Sequence, residues 1–260
     1  MLRSIKDLEG YTISATDGPI GRVSDFYFDD DQWVIRYLVA AIGDSLPRRK
    51  VLISPISIVR PLWSEKSLHL SLTQRQVRQS PNIDTDKPVS RQHEMGYLGY
   101  YGYGTYWGGG GLWGAGLYPD ILQAGLVQNE PNVEGGRLRT ADPHLRSGNE
   151  IGRYYVHAND GDIGHVQGLL IDEQTWAIRY LIVNTSNWWV GHHVLVSPTW
   201  IAAVSWTECI VSLGLMREQI ERAPHYDAAA TLAREAESSL HSHYGRDGYW
   251  VGEARHRNVG

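Results

Sequence analysis

The sequence predicts an all-β fold: two small, similar β-units from an internal duplication, a glycine- and aromatic-rich linker between them, and a C-terminal helix. Three observations carry this. Ala15-Thr16-Asp17-Gly18-Pro19-Ile20-Gly21-Arg22-Val23 returns as Ala158-Asn159-Asp160-Gly161-Asp162-Ile163-Gly164-His165-Val166, displaced by 143 positions. At the same offset Trp33-Val34-Ile35-Arg36-Tyr37-Leu38 falls on Trp176-Ala177-Ile178-Arg179-Tyr180-Leu181, and Val51-Leu52-Ile53-Ser54-Pro55 on Val194-Leu195-Val196-Ser197-Pro198. Trp63, Leu70 and Pro81 then meet Trp206, Leu213 and Pro224. One register held over about 70 residues marks a duplication. Finally, each copy is a series of short β-prone runs cut by turn residues, with almost no helical period. Five or six such strands per copy suit a small barrel or two-sheet sandwich, and barrel closure removes exposed edges. The expected division is 1–81 for the first unit, 82–149 for the linker, 150–224 for the second unit and 225–260 for a helix and tail.

Within the first unit, residues 11–14 form a β-prone run that ends at Thr16-Asp17-Gly18, where Asp-Gly suits a tight hairpin turn. The run from Ile20 to Phe28 alternates Val23, Phe26 and Phe28 with polar neighbours, broken by an irregularity near Ser24-Asp25. Asp29-Asp30-Asp31 makes the next turn, and Trp33 to Ile42 is a longer strand rich in aromatic and β-branched residues. Val51-Leu52-Ile53 is stopped by Ser54-Pro55, since proline cannot donate to a central ladder. Residues 67–72 alternate with period two, and Thr73 caps one helical turn over residues 73–78 that Ser80-Pro81 closes. The second unit repeats this order. After Pro224, residues 227–240 read as a helix capped by Asp227, with a frayed tail in which Tyr249-Trp250-Val251 pack back.

The linker changes character at Gly96. From Met95 to Pro119 there is no charged residue, and glycine is the commonest residue of the stretch. The length suits a membrane span, but an isolated helix loses roughly 1 kcal/mol per glycine, so the segment is expected to be a loop rather than a span. Its rings, Tyr100, Tyr101, Tyr103, Tyr106, Trp107 and Trp113, together with Trp188 and Trp189 of the second unit, are the candidate interaction surface. Residues 97–118 are expected to be dispensable for folding.

Composition narrows the chemistry. The 260 residues carry a formal charge of −5, with lysine only at Lys6, Lys50, Lys66 and Lys87, which argues against a nucleic-acid binder with a basic face. Cys209 is the only cysteine, so neither an internal disulfide nor a cysteine-based zinc site is available. The N-terminal residues have no apolar signal core, and a cytoplasmic location is expected. His192 and His193 point to opposite faces of a strand, and His241 and His243 do not share a helix face; no metal is expected. Ser54 and Ser197 end strands and lack the histidine and acid a nucleophile needs. Gly18, Gly21, Gly161 and Gly164 serve the backbone, because strands rather than a helix follow them. No catalytic residue and no cofactor is expected. Asp17 and Asp160 are read as caps of their own turns. The pair Arg36 and Arg179 is an ion in an apolar strand, expected to pack its stem and keep its head in water, with Asp29 and Asp172 as better partners than Asp25.

With these residues in hand, the pattern resembles the PRC-barrel family, whose β-barrel forms the cytoplasmic part of the photosynthetic reaction-centre H subunit. The matching features are Leu8-Glu9-Gly10-Tyr11, Asp17-Gly18-x-Ile20-Gly21-x-Val23, Trp33-x-Ile35-Arg36-Tyr37-Leu38 and Leu52-Ile53-Ser54-Pro55, with their second copies. The resemblance implies two small PRC-type barrels in a bacterial protein, no enzyme activity and no inherited site residue. The expected function is a protein-interaction or assembly module with an unidentified protein partner, no nucleic acid and no membrane span. Two alternatives are a peripheral membrane accessory of a photosynthetic or respiratory electron-transfer complex, and small-ligand or metal binding between the barrels.

Overall fold

Residues 1–43, 49–81, 89, 91–107, 109–123, 144–185 and 192–257 are described by a computed structural model of the chain. In chain order its strands are β1 (Leu2–Ser4), β2 (Thr12–Ala15), β3 (Gly18–Asp29), β4 (Val34–Ile42), β5 (Arg49–Ile53), β6 (Ile58–Leu62), β7 (Ser67–Leu70), β8 (Leu145–Ser147), β9 (Tyr155–Ala158), β10 (Gly161–Asp172), β11 (Ile178–Asn184), β12 (His193–Val196), β13 (Ile201–Ser205) and β14 (Ile210–Leu213). Its helices are α1 (Ile5–Leu8), α2 (Gln74–Arg78), α3 (Arg91–Tyr101), α4 (Gly148–Ile151), α5 (Arg217–Glu221), α6 (Arg234–His243) and α7 (Tyr249–Arg257). Every strand and helix up to α3 has a counterpart near 143 positions on, the last being α6. The duplication is therefore visible in the backbone as well as in the residues.

The chain forms two compact units. The N-terminal unit holds Asp7–Gly148 and Glu173–Ala177; the C-terminal unit holds Met1–Lys6, Asn149–Asp172 and Ile178–Gly260. Each contains a seven-stranded sheet, ordered β5-β4-β3-β2-β7-β6 in the first and β12-β11-β10-β9-β14-β13 in the second. Pairing is antiparallel except for β2 with β7 and β9 with β14. Among the described residues no ladder joins the end strands of either sheet, so the expected closure into barrels is not shown.

The long third strand organises each sheet. One half of β3 pairs with β2, and its far end, Tyr27 to Asp29, pairs with Ser147 to Leu145 of β8. β10 does the same with β9 and with β1, matching Leu2 to Asp172 and Ser4 to Leu170. β1 and β8 carry the same tripeptide, Leu-Arg-Ser, 143 positions apart. Each stands at the start of its own repeat, yet each completes the sheet made mainly by the other repeat. These short flanking strands give no periodic signal, and neither they nor β6 is legible in the sequence.

Close backbone approach explains two of the repeated glycines. A Cβ on Gly21 would lie 2.3 Å from the Ala41 carbonyl oxygen, and one on Gly164 only 1.9 Å from that of Asn184. The irregularity expected near Ser24-Asp25 is a register shift between Val23 and Asp25. Asp17 and Asp160 differ from expectation. Their Oδ1 atoms accept the backbone N–H of Gln74 (2.7 Å) and Arg217 (2.8 Å), so each holds the first turn of α2 or α5. Thr73 caps α2 as expected, in a reciprocal arrangement with Gln76.

Helical structure is richer than the sequence suggested. α3 occupies part of the expected linker, with Gly96 and Gly99 on its exposed side and Tyr97 and Leu98 buried. α6 begins at Arg234 rather than at Asp227. Asp227 instead closes a local turn, accepting from the N–H of Ala229 and of Ala230. The tail is helical as α7, and Trp250 packs edge-on against His241. No helix among the described residues is long and apolar enough to cross a membrane.

Candidate functional site

The offset of 143 positions continues past the strands. Arg91, Glu94, Tyr101-Gly102 and Tyr106-Trp107 fall on Arg234, Glu237, Tyr244-Gly245 and Tyr249-Trp250. Of these, Glu94 and Tyr106 meet Arg36 and Tyr37 in the N-terminal unit, and Arg234, Glu237 and Tyr249 meet Arg179 and Tyr180 in the C-terminal unit, at one polar cluster per unit. It is the most concentrated chemistry in the described residues, and it was built before the copies diverged.

In the N-terminal unit Arg36 projects from β4 and is only 1% exposed. Its Nε donates to Asp29 Oδ2 (2.5 Å), one terminal nitrogen donates to the Leu112 carbonyl (2.6 Å) and the other to Gln32 Oε1 (3.1 Å). The guanidinium carbon lies 3.9 Å from the centroid of Tyr106 and 4.7 Å from that of Trp113. Asp29 is the partner the repeat pointed to. The head is not in water, because the segment after α3 covers it with two aromatic rings. A desolvated cation stacked in this way gains up to about 2 kcal/mol per ring.

Glu94, fully buried on α3, anchors the other side. Tyr106 Oη donates to its Oε1 (2.5 Å), and His144 Nε2 lies 2.8 Å from its Oε2 and 3.1 Å from Tyr106 Oη. Tyr37 lies close enough to feel the same carboxylate, although its hydroxyl has no hydrogen-bond partner among the described residues. Burial, reinforced by the Glu94 charge, raises Tyr37 well above the ordinary phenol range.

The C-terminal unit repeats the design with substitutions. Arg179 stacks 4.0 Å from the Tyr249 centroid and is paired with Glu253 of α7. Glu237 Oε1 accepts from Tyr180 (3.1 Å) and Tyr249 (3.0 Å), while its Oε2 takes Arg234 (3.0 Å). His241 Nε2 lies 2.9 Å from the Tyr180 hydroxyl. Tyr180 is raised, first by burial and then by Glu237; Tyr249 is pushed up to about 12 by the same two causes. Burial lowers His241. One difference matters. The C-terminal cluster borders a cavity of about 170 Å³.

The aromatic residues singled out from sequence divide between these roles. Tyr106 and Trp113 are buried, so they are not part of an interaction surface. Trp113 donates its indole N–H to the Thr175 carbonyl (2.8 Å) inside the N-terminal unit. Residues 97–118, expected to be dispensable for folding, contribute the buried Tyr97, Leu98, Tyr106 and Trp113 to the N-terminal unit. Tyr101 and Tyr103 are half-buried and stack on each other at 5.5 Å, and Trp107 is half-buried against the edge of Tyr106. Tyr100 is 42% exposed and donates to the Gln76 carbonyl. Trp188 and Trp189 lie outside the described residues. Among the described residues no group of three His, Cys, Asp or Glu is placed to hold a metal ion.

A comparison with models of known protein families gives no match, and one with curated proteins gives none either. The reading of these clusters therefore rests on their geometry. In the N-terminal cluster Arg36 and Glu94 are both paired and buried, which ties α3, Tyr106 and Leu112 to the sheet. Beyond the buried Trp113, Pro119 and Leu122, the segment after α3 turns apolar side chains outward. Tyr118 and Ile121 are 40% and 37% exposed, and they border a groove of about 310 Å³ with Gly116, Leu117 and Asp120.

Proposed function

We propose that this chain is a non-catalytic, duplicated PRC-barrel-type module that binds another protein through the groove of its N-terminal unit. The observation that carries the reading is the two-sided character of residues 112–122. Trp113, Pro119 and Leu122 are locked into the unit, and Leu117, Tyr118 and Ile121 present a small apolar rim with one carboxylate, Asp120, at its edge. Aromatic and aliphatic side chains held on a fixed frame give contact area at low entropic cost, the usual make-up of a binding hot spot. A single half-buried cysteine, Cys209, fits work in a reducing compartment.

The test is a paired substitution, Tyr118→Ser with Ile121→Ser, in the full chain. It is expected to leave thermal unfolding nearly unchanged and to abolish cross-linking to a partner that the parent chain and a Tyr100→Ser control both capture. Equal capture by the double variant overturns the reading. Flotation of the parent chain with lipid vesicles, lost in the double variant, replaces the protein partner with a membrane surface.

A further inference from the structure

Three permanent cations of the first repeat become histidines in the second. At the offset of 143 positions, Arg22, Arg49 and Lys50 fall on His165, His192 and His193. The register sets two of each on one row: Arg22, Ala41 and Lys50 across β3, β4 and β5, and His165, Asn184 and His193 across β10, β11 and β12. Residues directly opposite on neighbouring strands share a face of the sheet. The third cation has a visible task. Arg49 donates to the carbonyls of Arg78 and Ser80, which clamps the chain leaving α2 onto β5.

In the C-terminal unit the equivalent strap, residues 223–227 after α5, is fastened differently. The Tyr226 N–H donates to the His193 carbonyl (2.8 Å) on the outer edge of β12, the end strand of its sheet. This places the His225 ring 5.1 Å from that of His192, at 88° to it, and 6.4 Å from that of His193. The first-repeat equivalent of His225 is Asn82, which carries no charge at any pH.

We infer that the strap is an acid-released latch: in mild acid, imidazolium charge on both sides of the contact frees residues 223–227 from β12 and uncovers its edge. Neutral rings meet edge to face at no cost, whereas like charges this close repel. His193 adds a second reason. Its Nε2 is enclosed and has no hydrogen-bond partner among the described residues, so a proton there makes a buried donor without an acceptor. Burial, then the charges of His225, His165 and His192, hold His193 below the ordinary histidine range, and no carboxylate acts on it among the described residues. The groups facing it are His165 from β10, the uncharged Asn184 from β11, His192 beside it and His225 from the strap. Nearby acids are engaged elsewhere: Asp162 faces His157 (3.3 Å), Asp172 pairs with Leu2, Asp227 accepts the Ala229 N–H (2.9 Å) and Glu218 holds Arg222 (2.7 Å), while Glu221 is exposed on α5. A histidine kept neutral by the fold supports it above about pH 6.5, and that support is lost as pH falls below this value.

The experiment follows amide hydrogen exchange of the full chain by NMR at about pH 7.5 and about pH 5.5, either side of the histidine range, with rates corrected for intrinsic exchange. Protection at Tyr226 is expected to fall about tenfold in acid, the effect of one proton taken up over one pH unit. Val166, bonded to the Tyr154 carbonyl in the same unit, and Ser80, bonded to the Val77 carbonyl after α2, are expected to keep theirs. His225→Asn is expected to remove the pH dependence at Tyr226, and His225→Arg to leave Tyr226 poorly protected at both pH values. Unchanged protection of Tyr226 in the parent chain overturns the inference, as does equal acid loss at Val166 or in His225→Asn. So does a His225→Arg variant as protected as the parent at the higher pH.

Discussion

The phenol of Tyr106 donates to the carboxylate of Glu94 across 2.5 Å, and 143 positions later Tyr249 makes the same contact with Glu237. In each copy a tyrosine from beyond the helix closes onto a glutamate on the helix while an arginine from the sheet lies under the ring. That contact ties a segment with weak intrinsic structure to a strongly folded sheet.

Buried donors left without an acceptor cost about 1–3 kcal/mol. Glu94→Leu is therefore expected to destabilise the N-terminal unit by about that amount, and Glu237→Leu the C-terminal unit likewise. Glu94→Gln, which keeps an acceptor, is expected to cost less. Urea denaturation of the three variants measures this, and a Gln variant as unstable as the Leu variant contradicts it.

Asp29 compensates a guanidinium that has almost no access to water. Removing one partner of a buried ion pair costs about 3–5 kcal/mol, and Asp29→Ala is expected to fall in that range. Adding Arg36→Met to it is expected to recover part of the loss, so the two changes are not additive. Chemical denaturation of the single and double variants decides the sign of the coupling.

Alkaline pH provides a second view of the clusters. Tyr180 and Tyr249 are raised in the folded chain, so the native state keeps protons that the unfolded chain gives up near pH 10. Their contribution is complete below about pH 10 and is lost as pH climbs toward and past 12. Melting temperature is expected to fall across that window, and less steeply in Tyr249→Phe. A slope unchanged by Tyr249→Phe counts against the assignment.

Gly164 has no room for a side chain, since an added Cβ would lie 1.9 Å from a backbone oxygen, and its φ is +157°. Gly164→Ala is expected to cost more than about 1 kcal/mol, because a glycine replaced where its conformation or space is unique gains nothing from the stiffer unfolded chain. Gly252→Ala, with open space around it, is the control. Thermal melts of the pair measure the difference.

The strand exchange has a local signature. Arg3 pairs with Ile171 of β10, and Arg3→Pro removes a ladder donor there. Hydrogen exchange is expected to speed up at residues 170–172 and to remain slow at residues 27–29, which pair with β8 instead. Equal acceleration at both places contradicts the pairing.

Much of the sheet was legible because burial imposes a pattern on strands. Tyr11, Ile13, Val23, Phe26 and Leu38 announce their faces, and repetition confirmed them. α3 was not, because Gly96 and Gly99 lower its helix propensity and the tertiary contacts of Tyr97 and Leu98 overrule that. The clusters were half-legible. Arg36 and Asp29 were paired from the repeat, yet the burial of the arginine depends on Trp113 and Tyr106, which composition made look like surface. The signal that finds Glu94 and Tyr106 was present: the offset of 143 positions, followed beyond Pro81, reaches Arg91 and ends at Trp107.

The traded strands set an order of events during synthesis. When residues 12–81 leave the ribosome, the far end of β3 has β4 on one side only, and its other edge stays open until residues 145–147 emerge. β1, which precedes the rest of the first repeat, waits still longer for β10. A nascent chain carrying only the first repeat thus exposes one unpaired edge and one unclaimed strand. Carrying the second repeat on the same chain supplies the partner for each within one polypeptide.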